Sequence, residues 1–100
     1  MEGKTKDEVL KNLCRKVEQE KGLPETFTAS VLKREELTPT DYGNLVALPH
    51  PERAFQERAF VAVAVLKEPI FWFRQKVQVV FLTAIGREED ENLQQFYEAT

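Results

Sequence analysis

The side chain with the clearest chemical potential is His50, the only histidine in the sequence. It stands between Pro49 and Pro51, whose rings restrict the backbone on either side and leave the imidazole little freedom to swing. It also follows a short apolar run, and strand ends are where functional side chains meet the loops. A neutral imidazole is a good nucleophile. We therefore predict that His50 accepts and releases a phosphoryl group.

A histidine that accepts a phosphoryl group needs hydrogen-bond donors nearby, because the group brings negative charge and strong acceptor oxygens. Arg34 could supply a planar fork that binds two of these oxygens at once. Thr38 and Thr40 could add hydroxyl groups, and the backbone around Gly43 could add N–H groups. These residues all precede His50 in one stretch of the chain.

Other interpretations of the same residues stay open on composition alone. A lone histidine at a strand end is more often structural or merely solvated, and Arg34 beside two glutamates is typical of a solvated helix face. A hydrolase triad of Ser30, His50 and Asp41 is compatible with the composition, but Ser30 falls within a predicted helix and no nucleophile-elbow motif is present. The acidic run 88–91 is a weak candidate for a metal or acid–base site, since consecutive carboxylates do not share a helix face.

The bulk composition limits the function classes. One hundred residues make one small domain, with 42% apolar and 31% charged residues as in ordinary globular proteins. The net charge of −3 argues against direct binding of nucleic acid, which needs a clustered positive face. The single cysteine, Cys14, excludes an internal disulfide, and with one histidine it leaves too few ligands for structural zinc. No apolar run is long enough for a membrane span, so we expect a cytoplasmic domain.

Two helices are predicted before the central stretch. The first covers Thr5–Lys21, where apolar residues recur on one helical face, Cys14 among them, and Gly22 follows as a stop signal. Thr5 with Glu8 three residues later suggests a capping box. The second helix covers Glu25–Glu36 and ends before Pro39, because the residue preceding a proline avoids the helical region.

A sheet and a last helix are predicted for the rest of the chain. Three strands are expected: Leu45–Leu48, Ala59–Leu66 and Val77–Ile85, the last of them central and buried on both faces. Between the predicted elements lie a turn at Thr38–Asn44, a loop at Glu52–Arg58, a turn at Lys67–Pro69 and an aromatic segment at Ile70–Phe73, which is either a strand fragment or a packed loop. The last helix is expected at Arg87–Ala99. This order predicts an α/β fold in which a mixed or antiparallel sheet packs against helices. The chain looks trimmed at both ends.

The stretch from Arg34 to His50 resembles the active-site signature of a known family. Arg34-Glu35-Glu36-Leu37-Thr38-Pro39-Thr40, then Gly43, then Val46-Ala47-Leu48-Pro49-His50 are similar to enzyme IIA domains of the fructose/mannitol class, type 2, in the bacterial phosphoenolpyruvate:sugar phosphotransferase system. The resemblance covers nearly the whole chain, so residues 1–100 are expected to form a single domain from a longer protein. It implies a mixed sheet sandwiched between helices, and no metal or organic cofactor.

The resemblance also implies roles for three residues. His50 matches the phosphoacceptor, which takes the group from the phosphocarrier protein HPr and passes it to an enzyme IIB. Arg34 matches the arginine that stabilises the transferred charge, and Thr40 matches the family's active-site threonine. Pro51 departs from the glycine that follows the histidine in transporters, and Asn92 stands where some members carry a second histidine.

The chain is more similar to the IIA-like domains of BglG-type antiterminator and activator regulators, and two segments carry this likeness: Gly43-Asn44-Leu45-Val46-Ala47-Leu48-Pro49-His50-Pro51 and Pro69-Ile70-Phe71-Trp72. The first hypothesis is therefore a phosphohistidine domain whose phosphorylation controls a transcriptional regulator through its neighbouring domains. The second is a transport enzyme IIA that relays phosphate from HPr to a sugar-specific IIB, which would make it a transferase. The third is a protein-binding module of the same fold that is not phosphorylated.

Overall fold

The computed structural model describes residues 5–56 and 58–87, which form two helices and a four-stranded mixed sheet. Its elements are α1 (Lys6–Lys21), α2 (Thr26–Leu37), β1 (Asp41–Gly43), β2 (Val46–Ala47), β3 (Phe60–Phe71) and β4 (Lys76–Ala84). The strand order is β1-β2-β4-β3, with β2 parallel to β4 and the other neighbours antiparallel. The predicted α/β class with a mixed sheet is confirmed. The predicted helix Arg87–Ala99 lies outside the described residues, except for Arg87.

The first helix begins and ends where its capping residues indicate. Thr5 caps α1, and its hydroxyl accepts a hydrogen bond from the Glu8 N–H at 3.2 Å. Gly22 ends the helix in the left-handed conformation, at φ 67°, and donates its N–H to the Glu18 carbonyl. Both signals were predicted from the sequence. The second helix agrees with its prediction within one residue at each end.

One face of the sheet packs against the helices and forms the hydrophobic core. The buried residues of that core are Val9, Leu10, Leu13, Cys14, Val17, Phe27, Val31, Ala47, Ala64, Leu66, Trp72, Val77, Val80, Leu82 and Ala84. Each large side chain among them contributes roughly 1.5–3 kcal/mol by leaving water. Burial, with a smaller effect of Glu18, raises the pKa of the Cys14 thiol to about 12, so the thiol is a packing group.

The predicted turn at Thr38–Asn44 is partly wrong, because Asp41–Gly43 form strand β1 against β2. A three-residue strand among turn residues offers no alternation from which it could be recognised. The tight turn falls at its end, where Gly43, Asn44 and Leu45 all have positive φ. Gly43 was predicted to need such a conformation, and its φ is 95°.

The predicted turn at Lys67–Pro69 is wrong, since β3 continues through these residues to Phe71. The strand lies at the edge of the sheet, where a proline does not break an internal ladder. The register with β4 shifts between Val65 and Ile70, so the regular pairing of the two strands is interrupted around the proline. The chain reverses instead just beyond, where the Trp72 N–H donates to the Gln75 carbonyl at 2.9 Å.

Strand β4 is central, as predicted, and lies between β2 and β3. Its residues alternate between buried and half-buried positions, with Val80 and Leu82 on the closed side and Val79 and Phe81 on the other. Burial on both faces is therefore not found among the described residues. On the same open side, Val61, Val63 and Val65 of β3 are exposed.

The β3–β4 turn is capped by a single carboxyl group from β1. Oδ2 of Asp41 accepts hydrogen bonds from the N–H groups of Phe73, Arg74 and Gln75 at 3.2, 2.6 and 2.9 Å. Burial alone would raise the pKa of Asp41, but these backbone donors outweigh it together and hold the pKa below its ordinary value. The ionised form of this carboxyl group therefore stabilises the fold.

We expect Asp41→Asn to lower the free energy of unfolding at pH 7 by about 1–2 kcal/mol, because three hydrogen bonds lose their charged acceptor. The folded-state pKa of Asp41 is depressed, so its stabilisation is present above the unfolded-state value and is lost as pH falls through the folded-state value. Urea denaturation between pH 7 and pH 3 should show the wild type losing stability faster than the variant. Glu68→Gln, at an exposed position of β3, is the control. Parallel pH curves for wild type and Asp41→Asn would contradict the assignment.

Candidate functional site

His50 lies just beyond β2, in a loop that hydrogen bonds hold on two sides. The Leu48 N–H donates to the Thr40 carbonyl at 3.0 Å, and the Thr83 N–H of β4 donates to the Pro49 carbonyl at 3.0 Å. These bonds fix the two residues that precede the histidine. His50 is half-buried, so part of the residue is accessible to a ligand.

The ring of His50 has an orientation that distinguishes its two nitrogens. Nδ1 lies 3.1 Å from the carbonyl oxygen of Pro51. A carbonyl can only accept, so this contact is a hydrogen bond when Nδ1 carries the proton. In that tautomer the lone pair is on Nε2, which becomes the nucleophilic nitrogen.

A surface cleft of about 340 Å³ contains His50 and Arg34 together. Its lining residues are Arg34, His50, Pro51, Glu52, Arg53, Thr83 and Ile85. The structure therefore brings together the two residues that the sequence singled out as nucleophile and charge stabiliser. A cleft with an imidazole and guanidinium groups can hold an anion against a nucleophile.

Arg34 reaches the cleft from the last turn of α2. One N–H of its guanidinium donates to the Thr38 carbonyl at 3.3 Å, and the Thr38 N–H donates back to the Arg34 carbonyl at 3.1 Å. A guanidinium has five N–H donors in a fixed plane. The bond to Thr38 commits one of them and orients the rest of the plane.

The other predicted donors do not line the cleft. Thr40 is 2% exposed, and its hydroxyl donates to Oε1 of Glu35 at 2.7 Å. Thr38 is exposed, and its carbonyl accepts the hydrogen bond from Arg34. Gly43 lies at the end of β1, beside the side chain of Gln75. A role for Thr40 as an active-site hydroxyl stays a prediction.

Glu35 is a buried polar residue that the sequence interpretation missed. Its side chain is 1% exposed and accepts three hydrogen bonds: from the Thr40 N–H at 2.6 Å, the Thr40 hydroxyl at 2.7 Å and the Trp72 indole N–H at 2.9 Å. A signal was available, because Phe27, Val31 and Glu35 are spaced four residues apart and share the buried face of α2.

Arg53 and Thr83 are further cleft residues that were not predicted. The guanidinium of Arg53 lies 4.9 Å from the centre of the Phe55 ring, so a cation–π contact holds it near the surface of the cleft. Arg53 follows His50 by three residues, and that proximity is its signal in the sequence. Thr83 is brought to the cleft by the pairing of β4 with β2, which no local pattern indicates.

The hydrolase interpretation does not fit the geometry. The Ser30 hydroxyl accepts from the Glu52 N–H at 2.7 Å, and the carboxyl group of Asp41 is engaged by the β3–β4 turn. The nitrogen of His50 that a triad acid would orient faces the Pro51 carbonyl instead. The acidic run 88–91 lies outside the described residues.

The described residues, 5–56 and 58–87, contain neither a candidate metal cluster nor a membrane-spanning helix. No group of three or more histidine, cysteine, aspartate or glutamate side chains in these ranges is placed to hold a metal ion. Over the same part of the chain, no helix is both long and apolar enough to cross a membrane.

Comparison with known proteins identifies relatives for nearly the whole chain. Residues 1–98 match the family model described as the phosphoenolpyruvate-dependent sugar phosphotransferase system, EIIA 2. The probable licABCH operon regulator of Bacillus subtilis (strain 168) is 39% identical over 94 residues, which are 94% of this chain and 15% of that protein. Transcriptional regulator ManR of the same organism is 32% identical over 79 residues, 78% of this chain and 12% of that protein.

A component of a PTS system is also among the relatives. The 2-O-alpha-mannosyl-D-glycerate-specific EIIABC component of Escherichia coli (strain K12) is 39% identical over 69 residues, 65% of this chain and 10% of that protein. The chain thus spans 10 to 15% of the length of these three curated relatives.

Two solved structures have the same fold. The IIA mannitol crystal structure from Escherichia coli superposes with a TM-score of 0.74 at 19% identity, covering 99% of this chain and 75% of that one. The nitrogen regulatory protein IIA-Ntr from Neisseria meningitidis gives a TM-score of 0.77 at 23% identity, covering 98% and 70%. The match over residues 1–98 shows that the chain belongs to the EIIA 2 family of the phosphoenolpyruvate-dependent sugar phosphotransferase system.

Proposed function

We propose that this chain is a phosphohistidine domain that regulates the transcription factor to which it belongs, with His50 as the phosphoacceptor. The observation that carries the proposal is the cleft in which Arg34 and His50 meet. The 39% and 32% identical relatives that are named as regulators support the regulatory role over a transport role. Cytoplasmic placement, as expected from the sequence, belongs to the same proposal.

The transfer is a displacement at phosphorus. The lone pair on Nε2 of His50 attacks the phosphorus of a phosphohistidine on a donor protein such as HPr. The new N–P bond forms as the donor's N–P bond breaks, and the electron pair of the broken bond returns to the donor imidazole. The Nδ1 proton stays on His50, where the Pro51 carbonyl stabilises the positive charge that develops on the ring.

Arg34 stabilises the phosphoryl group during this transfer. Its guanidinium donates to the equatorial oxygens, where charge is spread in the transition state. Because the cleft is partly closed by protein, this attraction is stronger than it would be in bulk water. Arg53 supplies a second positive charge from the rim of the same cleft.

The second candidate function is a transport relay to an enzyme IIB. It is favoured by the likeness to the mannosyl-D-glycerate EIIABC component. The two functions share the first step and differ in the fate of the phosphoryl group. In a regulator the group stays long enough for neighbouring domains of the parent protein to respond, whereas a relay passes it on. The third candidate, a binding module without phosphorylation, predicts no modification at all.

The first prediction is that His50→Ala abolishes phosphorylation. Incubation with phosphoenolpyruvate, enzyme I and HPr, and then with candidate IIB proteins, should add one acid-labile phosphoryl group to the wild type. Intact-mass measurement should find none on the variant, because Nε2 is the attacking atom. Phosphorylation of the variant would show that a residue other than His50 is the phosphoacceptor. A wild type that no donor phosphorylates would favour the binding module without phosphorylation.

The second prediction is that Arg34→Lys slows phosphorylation of His50 by about tenfold or more, because an ammonium group cannot bind two phosphoryl oxygens in one plane. The rate should be measured by intact mass over time at fixed donor concentration. Arg15→Lys, the same exchange at an exposed position of α1, should leave the rate unchanged. Equal rates for wild type and Arg34→Lys would remove the role assigned to Arg34.

A further inference from the structure

The carboxyl group of Glu35 is a second polar feature next to the proposed site. It is buried, and every hydrogen bond described for it is one that it accepts: two from Thr40 and one from Trp72. An acceptor surrounded only by donors fits the ionised form of a carboxyl group. None of these atoms takes part in the transfer proposed above.

Thr40 connects Glu35 to the loop that carries His50. Through its N–H and hydroxyl, Thr40 binds Glu35, which directly follows Arg34 in α2. Through its carbonyl, Thr40 accepts the N–H of Leu48, two residues before His50. One residue is therefore bonded both to the helix end that bears the arginine and to the strand end that bears the histidine.

The same contact fixes the segment to which Arg34 is bonded. The guanidinium donates to the carbonyl of Thr38, which lies in the short loop between Glu35 and Thr40. Because Glu35 and Thr40 are held together at 2.6 and 2.7 Å, the loop between them is closed into a small ring. The position of the Thr38 carbonyl, and so the direction of the guanidinium plane, depends on that closure.

We propose that Glu35 is a positioning residue of the phosphoryl-transfer site. By holding Thr40 it sets the Arg34 guanidinium in register with the imidazole of His50. Trp72 completes the arrangement by supplying the third donor from the β3–β4 turn. The inference rests on the proposed function, since it concerns the efficiency of transfer to His50.

Stabilisation alone is a poor account of a carboxyl group at this place. Glu35 lies on the same helix face as Phe27 and Val31, where a leucine or methionine would pack without losing hydration of a charge. A fully bonded buried carboxyl group instead fixes direction, because each hydrogen bond is satisfied in only one arrangement. The Arg34 guanidinium is planar, so it can bind two phosphoryl oxygens only if its plane is correctly oriented.

The variant Glu35→Gln tests the proposal with little change of shape. An amide has nearly the same shape, but it is neutral and meets the Thr40 hydroxyl with an NH₂ group in place of an acceptor oxygen, so its hold on Thr40 is weaker than that of the carboxyl group. The matched control is Glu36→Gln, the same exchange at the neighbouring exposed position. Each change is made with Arg34 present and in an Arg34→Ala background, and the rate of His50 phosphorylation is measured by intact mass.

With Arg34 present, we expect Glu35→Gln to slow phosphorylation roughly tenfold, as for misplacement of one charge-stabilising group. In the Arg34→Ala background the same change should alter the rate by less than about twofold, because there is no guanidinium left to position. Glu36→Gln should be neutral in both. An equal slowing by Glu35→Gln in the two backgrounds would assign Glu35 to general stability and overturn the proposal.

A second measurement does not depend on phosphorylation. The Nε–H signal of Arg34 in a ¹H–¹⁵N NMR spectrum should shift or broaden in Glu35→Gln and stay unchanged in Glu36→Gln. If the wild type accepts no phosphoryl group, the proposed function is wrong. If the Arg34 signal is unchanged in Glu35→Gln, the positioning role of Glu35 is wrong, whatever the outcome for phosphorylation. If Glu35→Gln does not fold, Trp72→Phe takes its place, because it removes one donor to Glu35 and keeps the aromatic packing. It should slow phosphorylation and shift the Arg34 signal in the same direction, but by less.

Discussion

The arrangement of this domain depends on one buried carboxyl group, that of Glu35. Three donors from two distant parts of the chain converge on it, and they leave the end of α2, the entry to β1 and the β3–β4 turn in a single relative position. Removing a partner from such a group leaves a buried charge without its full set of bonds, which costs more than an ordinary lost contact. The local geometry is therefore set by a requirement for complete hydrogen bonding, in addition to apolar packing.

The mixed sheet explains why the histidine emerges where it does. Strand β2 is only two residues long, yet it is parallel to the long central strand β4, and its carboxyl end opens toward the cleft. The Thr83–Pro49 hydrogen bond continues this pairing one step beyond the strand. His50 is thus carried by a rigid strand end, while Arg34 comes from a helix on the same side of the sheet.

Much of this fold could be predicted from sequence because its long elements have clear signals. Thr5 and Gly22 mark the ends of α1, and the apolar run of β4 indicates a central strand. Strand β1 could not be predicted, since three residues carry no period, and Pro69 suggested a turn because its edge position was unknown. Arg34 and His50 were found through their chemistry and resemblance. Glu35 was passed over because it is one of two adjacent glutamates, although a step of 100° along the helix buries one and exposes the other.

The net charge of the cleft is the property through which a neighbouring domain can distinguish the phosphorylated from the unphosphorylated state. With a neutral imidazole, Arg34 and Arg53 outweigh Glu52, so the cleft is positive before transfer. With the Nδ1 proton retained, the transferred phosphoryl group adds about one unit of negative charge, which cancels the net positive charge of the cleft. Since the cleft lies at the surface, this loss of positive charge is felt within roughly one Debye length, about 8 Å at physiological salt. A partner surface that docks beside His50 therefore meets a different field in each state without any rearrangement of the fold. The rigid frame around Glu35 then favours a switch of charge over a switch of shape.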